Sequence, residues 1–124
     1  MRGADDWFLY NCWYAAGWTT EIEPGKPLAR TLLEKPVVMF RGEAGEYIAL
    51  DNRCCHRAAP LSSGRIEGSC IRCMYHGMKY DASGVCIEIP GQDRISPQHR
   101  VHSYPIVERG GMLWIWMGEV DKAD

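Results

Sequence analysis

Ser69-Cys70-Ile71-Arg72-Cys73-Met74-Tyr75-His76-Gly77-Met78-Lys79-Tyr80-Asp81-Ala82-Ser83-Gly84-Val85-Cys86-Ile87-Glu88-Ile89 decides the fold class. It holds three short runs, Ser69–Arg72, Met78–Tyr80 and Val85–Ile89, each the length of a strand and too brief for a helix. Asp81-Ala82-Ser83-Gly84 reads as a hairpin turn, because glycine supplies the positive φ that such turns need. Between the first two runs lies Cys73-Met74-Tyr75-His76-Gly77, a loop carrying two metal-ligating residue types. The stretch predicts an antiparallel sheet with a functional loop at its end.

The same signature recurs outward in both directions. Candidate strands are Trp13–Ala16, Leu28–Leu33, Val37–Arg41, Tyr47–Asp51, Val101–Tyr104, Ile106–Glu108 and Met112–Met117, with further turns at Arg41–Glu46 and Arg109–Gly111. No long helical pattern, repeat or low-complexity tract competes with them. At 124 residues the chain is one domain, 1–124, large enough to bury a core unaided. The expected fold is all-β, of sandwich or barrel type. A net charge of -2 and the absence of a basic run argue against nucleic acid. Met1–Phe8 carries Asp5 and Asp6 and no apolar run of signal length, and no segment approaches a membrane span. A reducing cytoplasm is therefore the expected setting for the six cysteines. Of these, Cys12, Cys70 and Cys86 sit in apolar surroundings and read as small buried hydrophobes.

The other three fall in two motifs: Cys54-Cys55-His56, which reads C-x-H, and Cys73 to His76, which reads C-x2-H. Residues 57–72 between them allow one excursion of sheet. Both motifs follow a strand directly, which places a metal at a tip between two loops, near solvent. Zinc accepts Cys2His2 ligation, and Cys70-Ile71-Arg72-Cys73 adds a C-x2-C that could combine with Cys54 or Cys55 and His76. C-x2-C also suits a redox dithiol, although that motif wants a helix N-terminus. The plainest alternative is buried thiols and hydrogen-bonded histidines.

From Asn11 to Gly118 the chain resembles the N-terminal Rieske domain of Rieske non-haem iron oxygenases, in particular the vanillate demethylase and phthalate-type subunits. The resemblance is carried by Asn11–Ala16, Cys54–Ser62, Cys73–Gly77, Ile89–Gln92 and Tyr104–Trp116. It implies a Rieske-type antiparallel β-sandwich or barrel with a smaller cluster-binding subdomain of two loops, about residues 52–90. It also implies a [2Fe-2S] cluster, with Cys54 and Cys73 as thiolates on one iron and His56 and His76 as imidazoles on the other. Replacing two thiolates by neutral rings removes about two negative charges, so an incoming electron meets less repulsion and the potential rises. A departure is Cys55, where the family usually has proline. Respiratory Rieske proteins carry a disulfide between the ligand loops and a hydroxyl beside the cluster; here the corresponding positions are Ala59, Tyr75 and Met78. A potential near roughly -150 mV follows, at the bottom of the Rieske range.

The implied function is one-electron transfer without bond-making. The implied partners are a reductase or ferredoxin as donor and, as acceptor, a mononuclear non-haem iron held by two histidines and a carboxylate. That iron would lie in a C-terminal domain and be reached across a trimer interface, with His76 as the exit. A stand-alone Rieske ferredoxin is the alternative, and a structural zinc module a more distant one. Gly118–Asp124 reads as entry to a linker. His99 and His102, with Asp93 as a remote third ligand, read as loop histidines and not as a second metal site. Arg57 is either a support to the ligands or a surface charge. Arg53, Arg72 and Lys79 read as a solvated face or a mild cationic rim. Trp114 and Trp116 alternate on one strand face, which points to core or to a docking surface.

Overall fold

The computed structural model describes residues 11–54, 59–74 and 77–118. Among the described residues eleven strands run in chain order: β1 (Cys12–Trp18), β2 (Leu28–Leu32), β3 (Lys35–Arg41), β4 (Tyr47–Asp51), β5 (Arg65–Glu67), β6 (Cys70–Arg72), β7 (Lys79–Tyr80), β8 (Cys86–Glu88), β9 (Ser103–Tyr104), β10 (Ile106–Arg109) and β11 (Met112–Met117). They form three sheets, ordered β1-β11-β10, β2-β3-β4-β9 and β5-β6-β7-β8. Every paired neighbour is antiparallel. The only helical turns among the described residues are 3-10, at Thr19–Glu21 and Leu61–Ser63. The all-β expectation holds, with strands close to where the apolar runs place them.

The sheet of β2, β3, β4 and β9 is the middle layer, and its sequence shows why. Strands covered on both faces read as continuous apolar runs, and Val37-Val38-Met39-Phe40 on β3 is one, each residue fully buried. Alternation then divides the run between two cores. Val38 and Phe40, with Ile48 and Leu50 opposite them on β4, pack with Leu61, Ile71, Met78, Tyr80, Cys54 and Cys73. Val37 and Met39 pack the other way, with Ala49, Leu113, Ile115 and Met117. One face of the middle layer therefore backs the candidate metal loops, and the other backs β1 and β11.

The turns explain most of the differences from the sequence reading. Gly110 and Gly111, both at positive φ, join β10 to β11 as a two-residue turn. The β2–β3 hairpin closes in the same way on Leu33 and Glu34 (φ 51° and 66°), so Leu33 is a turn residue and not the end of a strand. β5 is the strand absent from the sequence reading. Arg65-Ile66-Glu67 has one apolar residue, and its extended form comes from pairing with β6 across the turn at Gly68-Ser69.

Candidate metal centre

Two loops carry the candidate ligands, and each closes on itself with the same backbone bond. Cys54 N–H donates to the Ala59 carbonyl at 2.7 Å, and Cys73 N–H donates to the Met78 carbonyl at 2.7 Å. Each loop thus spans five residues from a cysteine, one leaving β4 and the other leaving β6. Both cysteines are 1% exposed and belong to one apolar cluster, and neither is in a disulfide. His56 and His76 lie outside the described residues, as do Cys55, Arg57 and Tyr75. Among the described residues, which take in the two cysteines and neither histidine, no three His, Cys, Asp or Glu side chains converge as a metal site.

The surroundings of Cys54 are specific. Its Sγ lies 3.1 Å from the Tyr80 hydroxyl and 3.6 Å from Met78 Sδ. Tyr80 is fully buried, and a buried hydroxyl needs a partner. The sequence pattern places Tyr80 in a strand, and the resemblance points to Ala59, Tyr75 and Met78 as the positions that bear on a hydroxyl or disulfide beside the cluster. Period-2 alternation from Met78, which faces Cys54, is the signal that would have found it.

The first loop is held at its base by neutral groups. Asn52, 8% exposed, donates from Nδ2 to Ser62 Oγ at 2.9 Å, and its Oδ1 accepts from Ser62 N–H at 2.8 Å. Its own N–H donates to the Pro36 carbonyl at 2.9 Å. The second loop is held by charge. Arg72 Nε and Nη2 grip the two oxygens of Glu67 at 2.9 and 3.0 Å, while Nη1 donates to the Gly77 carbonyl at 2.7 Å and meets Glu88 at 3.1 Å. Arg65 and Lys79 also reach Glu67, at 2.7 and 3.3 Å. Hydrogen bonds from Arg72 first, then Arg65, bring the Glu67 carboxyl down to about 2, and Arg72 likewise lowers Glu88. Arg72 and Lys79 are therefore spent in ion pairs and do not form a cationic rim. Arg53 lines a separate cavity with Asp51, Lys35 and His102, where burial raises the Asp51 carboxyl against the pull of those cations.

Glycines bring the two loops together. A Cβ on Gly64, just after the Leu61–Ser63 turn, would collide with the Arg72 carbonyl, so the return of the first loop packs against the root of the second. Gly77 (φ 69°) faces Pro90, whose Cγ would lie 3.1 Å from a Cβ there.

The competing ligand sets fare less well. On β6 the buried Ile71 and the half-buried Cys70 point to opposite faces, so Cys70 does not join Cys73 as a C-x2-C chelate, and burial pushes its thiol up. His102 rests edge-on against Tyr104, ring centres 4.4 Å apart. His99 Nδ1 is buried without a hydrogen-bond partner among the described residues, and Asp93 is exposed. Two buried thiols outside any disulfide, set in matching loops on a common core, suit a binuclear centre that takes one thiolate from each loop.

Comparison with known proteins agrees. The family model of the Rieske [2Fe-2S] domain matches residues 12–105. The iron-sulfur subunit of the toluene-4-sulfonate monooxygenase system of Comamonas testosteroni is 53% identical over 94% of this chain and 34% of its own length. The vanillate O-demethylase oxygenase subunit of a Pseudomonas species is 37% identical over 94% of this chain and 32% of its own. A crystal structure of dicamba monooxygenase superposes with a TM-score of 0.89 at 38% identity, over 94% of this chain and 37% of that one. The chain thus spans about a third of the length of the curated relatives it matches, and no helix among its described residues is long and apolar enough to cross a membrane. By its strand order, its paired cysteine loops and these matches, the chain belongs to the Rieske [2Fe-2S] domain family.

Proposed function

We infer that this chain is the electron-transfer domain of a Rieske non-haem iron oxygenase component. Residues 1–124 form one domain whose cluster-binding part is about 52–90. Cys54 and Cys73 serve as thiolate ligands to one iron, and His56 and His76 as imidazole ligands to the other. The observation that carries this reading is the pair of cysteines, each 1% exposed and each at the root of a loop closed by the same backbone bond. When bound, the cluster supplies one-electron oxidation and reduction with no bond made or broken.

The chain's own residues supply the rest. Burial of Cys54 and Cys73 keeps water from the thiolates, and the Tyr80 hydroxyl gives one sulfur a hydrogen bond. The ring nitrogens of His56 and His76 that are not ligands remain for a proton or a hydrogen bond to a partner. The donor is a reductase or ferredoxin. The acceptor is a mononuclear iron domain, C-terminal in a full-length subunit and reached from His76 across a trimer interface. The setting is cytoplasmic, with neither nucleic acid nor membrane as a partner.

The test is the iron, zinc and acid-labile sulfide content of anaerobically purified protein, with an EPR spectrum after dithionite reduction. Two irons, two sulfides and a rhombic signal of low average g are expected. Zinc without sulfide would overturn the reading.

A further inference from the structure

We propose that Arg72 is a positioning residue for the second ligand loop, a clamp that fixes where Cys73 and His76 stand. This rests on the ligand assignment above. The residue before the first ligand of the loop reaches across to the carbonyl of the residue after the second, Gly77, at 2.7 Å. It does so with a side chain only 16% exposed, its other edge gripped by both oxygens of Glu67 on β5. Glu88 on β8, at the opposite edge of the sheet, meets Nη1 at 3.1 Å. The loop is braced to the two outer strands of its sheet, β5 and β8, through a single planar group, and this needs a guanidinium, since an ammonium cannot hold a carboxylate by two parallel bonds and still present a directed third donor. Arg65 also bonds Glu67, at 2.7 Å, but it is 67% exposed and, among the described residues, none of its hydrogen bonds reaches the loop.

The first loop supplies the contrast. Its closing bond, Cys54 to Ala59, matches that of the second, Cys73 to Met78, yet among the described residues its base is held by the Asn52–Ser62 pair and by no ion. A change that loosens only the clamp should therefore open one loop and spare the other.

The experiment is hydrogen exchange on the purified full chain, read by mass spectrometry on peptides covering 70–80 and 51–61, after its iron and sulfide have been measured. Arg72→Gln should speed exchange in 70–80 at least tenfold while 51–61 and Arg65→Gln stay within twofold of wild type. In the iron-loaded protein, the same variant should broaden the EPR lines of the reduced state and release iron to a chelator faster. Equal acceleration in both peptides, or equal effects of Arg72→Gln and Arg65→Gln, would reduce Arg72 to an ordinary ion pair and overturn the proposal. If Arg72→Gln does not accumulate as folded protein, Arg72→Lys decides: a threefold or greater increase confined to 70–80 supports the clamp, and none overturns it. A wild-type protein lacking iron and sulfide would sink the proposed function, whereas the exchange comparison would still decide the clamp.

Discussion

Tyr80 places its hydroxyl 3.1 Å from Cys54 Sγ, where it would tune the proposed site. A hydrogen bond to a thiolate sulfur withdraws electron density and favours the reduced state. The sequence reading saw no such device at Ala59, Tyr75 or Met78 and expected a potential near roughly -150 mV; the hydroxyl 3.1 Å from Cys54 Sγ works against that trend. Tyr80→Phe should therefore lower the midpoint of the loaded protein. If the bond is stronger by ~1 kcal/mol in the reduced state, the drop is roughly 40 mV for one electron, read by redox titration at neutral pH. An unchanged midpoint would mean that the hydroxyl does not bond the sulfur. Glu67 gives a pH prediction. Its carboxyl titrates at about 2 in the folded protein, held down chiefly by Arg72, against about 4.3 in an unfolded chain. A lowered acid pKa contributes stability that is present above the unfolded value and is lost as pH falls through the folded one. Wild type and Glu67→Gln should thus differ in urea midpoint at pH 6 and converge between about pH 4 and pH 2. A gap that persists at pH 2 would place the loss in packing and not in charge.

Among the elements, those that follow from local pattern were legible and those that follow from partners were not. β4 and β11 have the bounds that their apolar runs predict, and the Gly110-Gly111 turn is where the glycines put it. β5 was invisible because two of its three residues are charged, and it is a strand only by virtue of β6. The two cysteine motifs stand out by their spacing, but the groups that hold their loops, Asn52, Ser62 and Arg72, are polar residues whose meaning depends on what lies across the sheet. The β2–β3 turn was missed because Leu33 and Glu34 lack the turn chemistry their conformation calls for. Left-handed backbone costs an ordinary residue about 1–2 kcal/mol, and glycine is free of that cost while losing roughly 0.5–1 kcal/mol of chain entropy. Glu34, the exposed member of the pair, is the one to change. Glu34→Gly should stabilise the protein by about 0.5–1 kcal/mol, a rise of a few degrees in melting temperature, with iron content unaltered. A lower melting temperature would show that Glu34 makes a compensating interaction in solution.

Across the whole molecule, the sheet of β1, β11 and β10 carries apolar residues on both faces, and only its inner face belongs to a core cluster. Met112-Leu113-Trp114-Ile115-Trp116-Met117 is as continuously apolar as β3, and its inward residues Leu113, Ile115 and Met117 fill a core. Its outward residues pair with more of the same kind: Trp18 opposite Met112, Ala15 and Val107 opposite Trp114, and Trp13 opposite Trp116. The sequence placed Trp114 and Trp116 on one face, and the structure divides their roles. Trp116 is 5% exposed and meets Trp13 edge-on at 5.4 Å. Trp114 lines an open hollow with Trp13, Val107 and Arg109. Trp18 and Val107, 54% and 39% exposed, extend the same face into solvent. A contiguous apolar face of this kind favours association, so the isolated chain should scatter light increasingly with concentration. Trp18→Ser with Val107→Thr should suppress that rise while leaving melting temperature and cluster content within error, since neither side chain fills a core. If scattering at matched concentration is unchanged and the variant is folded, the face is not what the chain presents to its neighbours in solution.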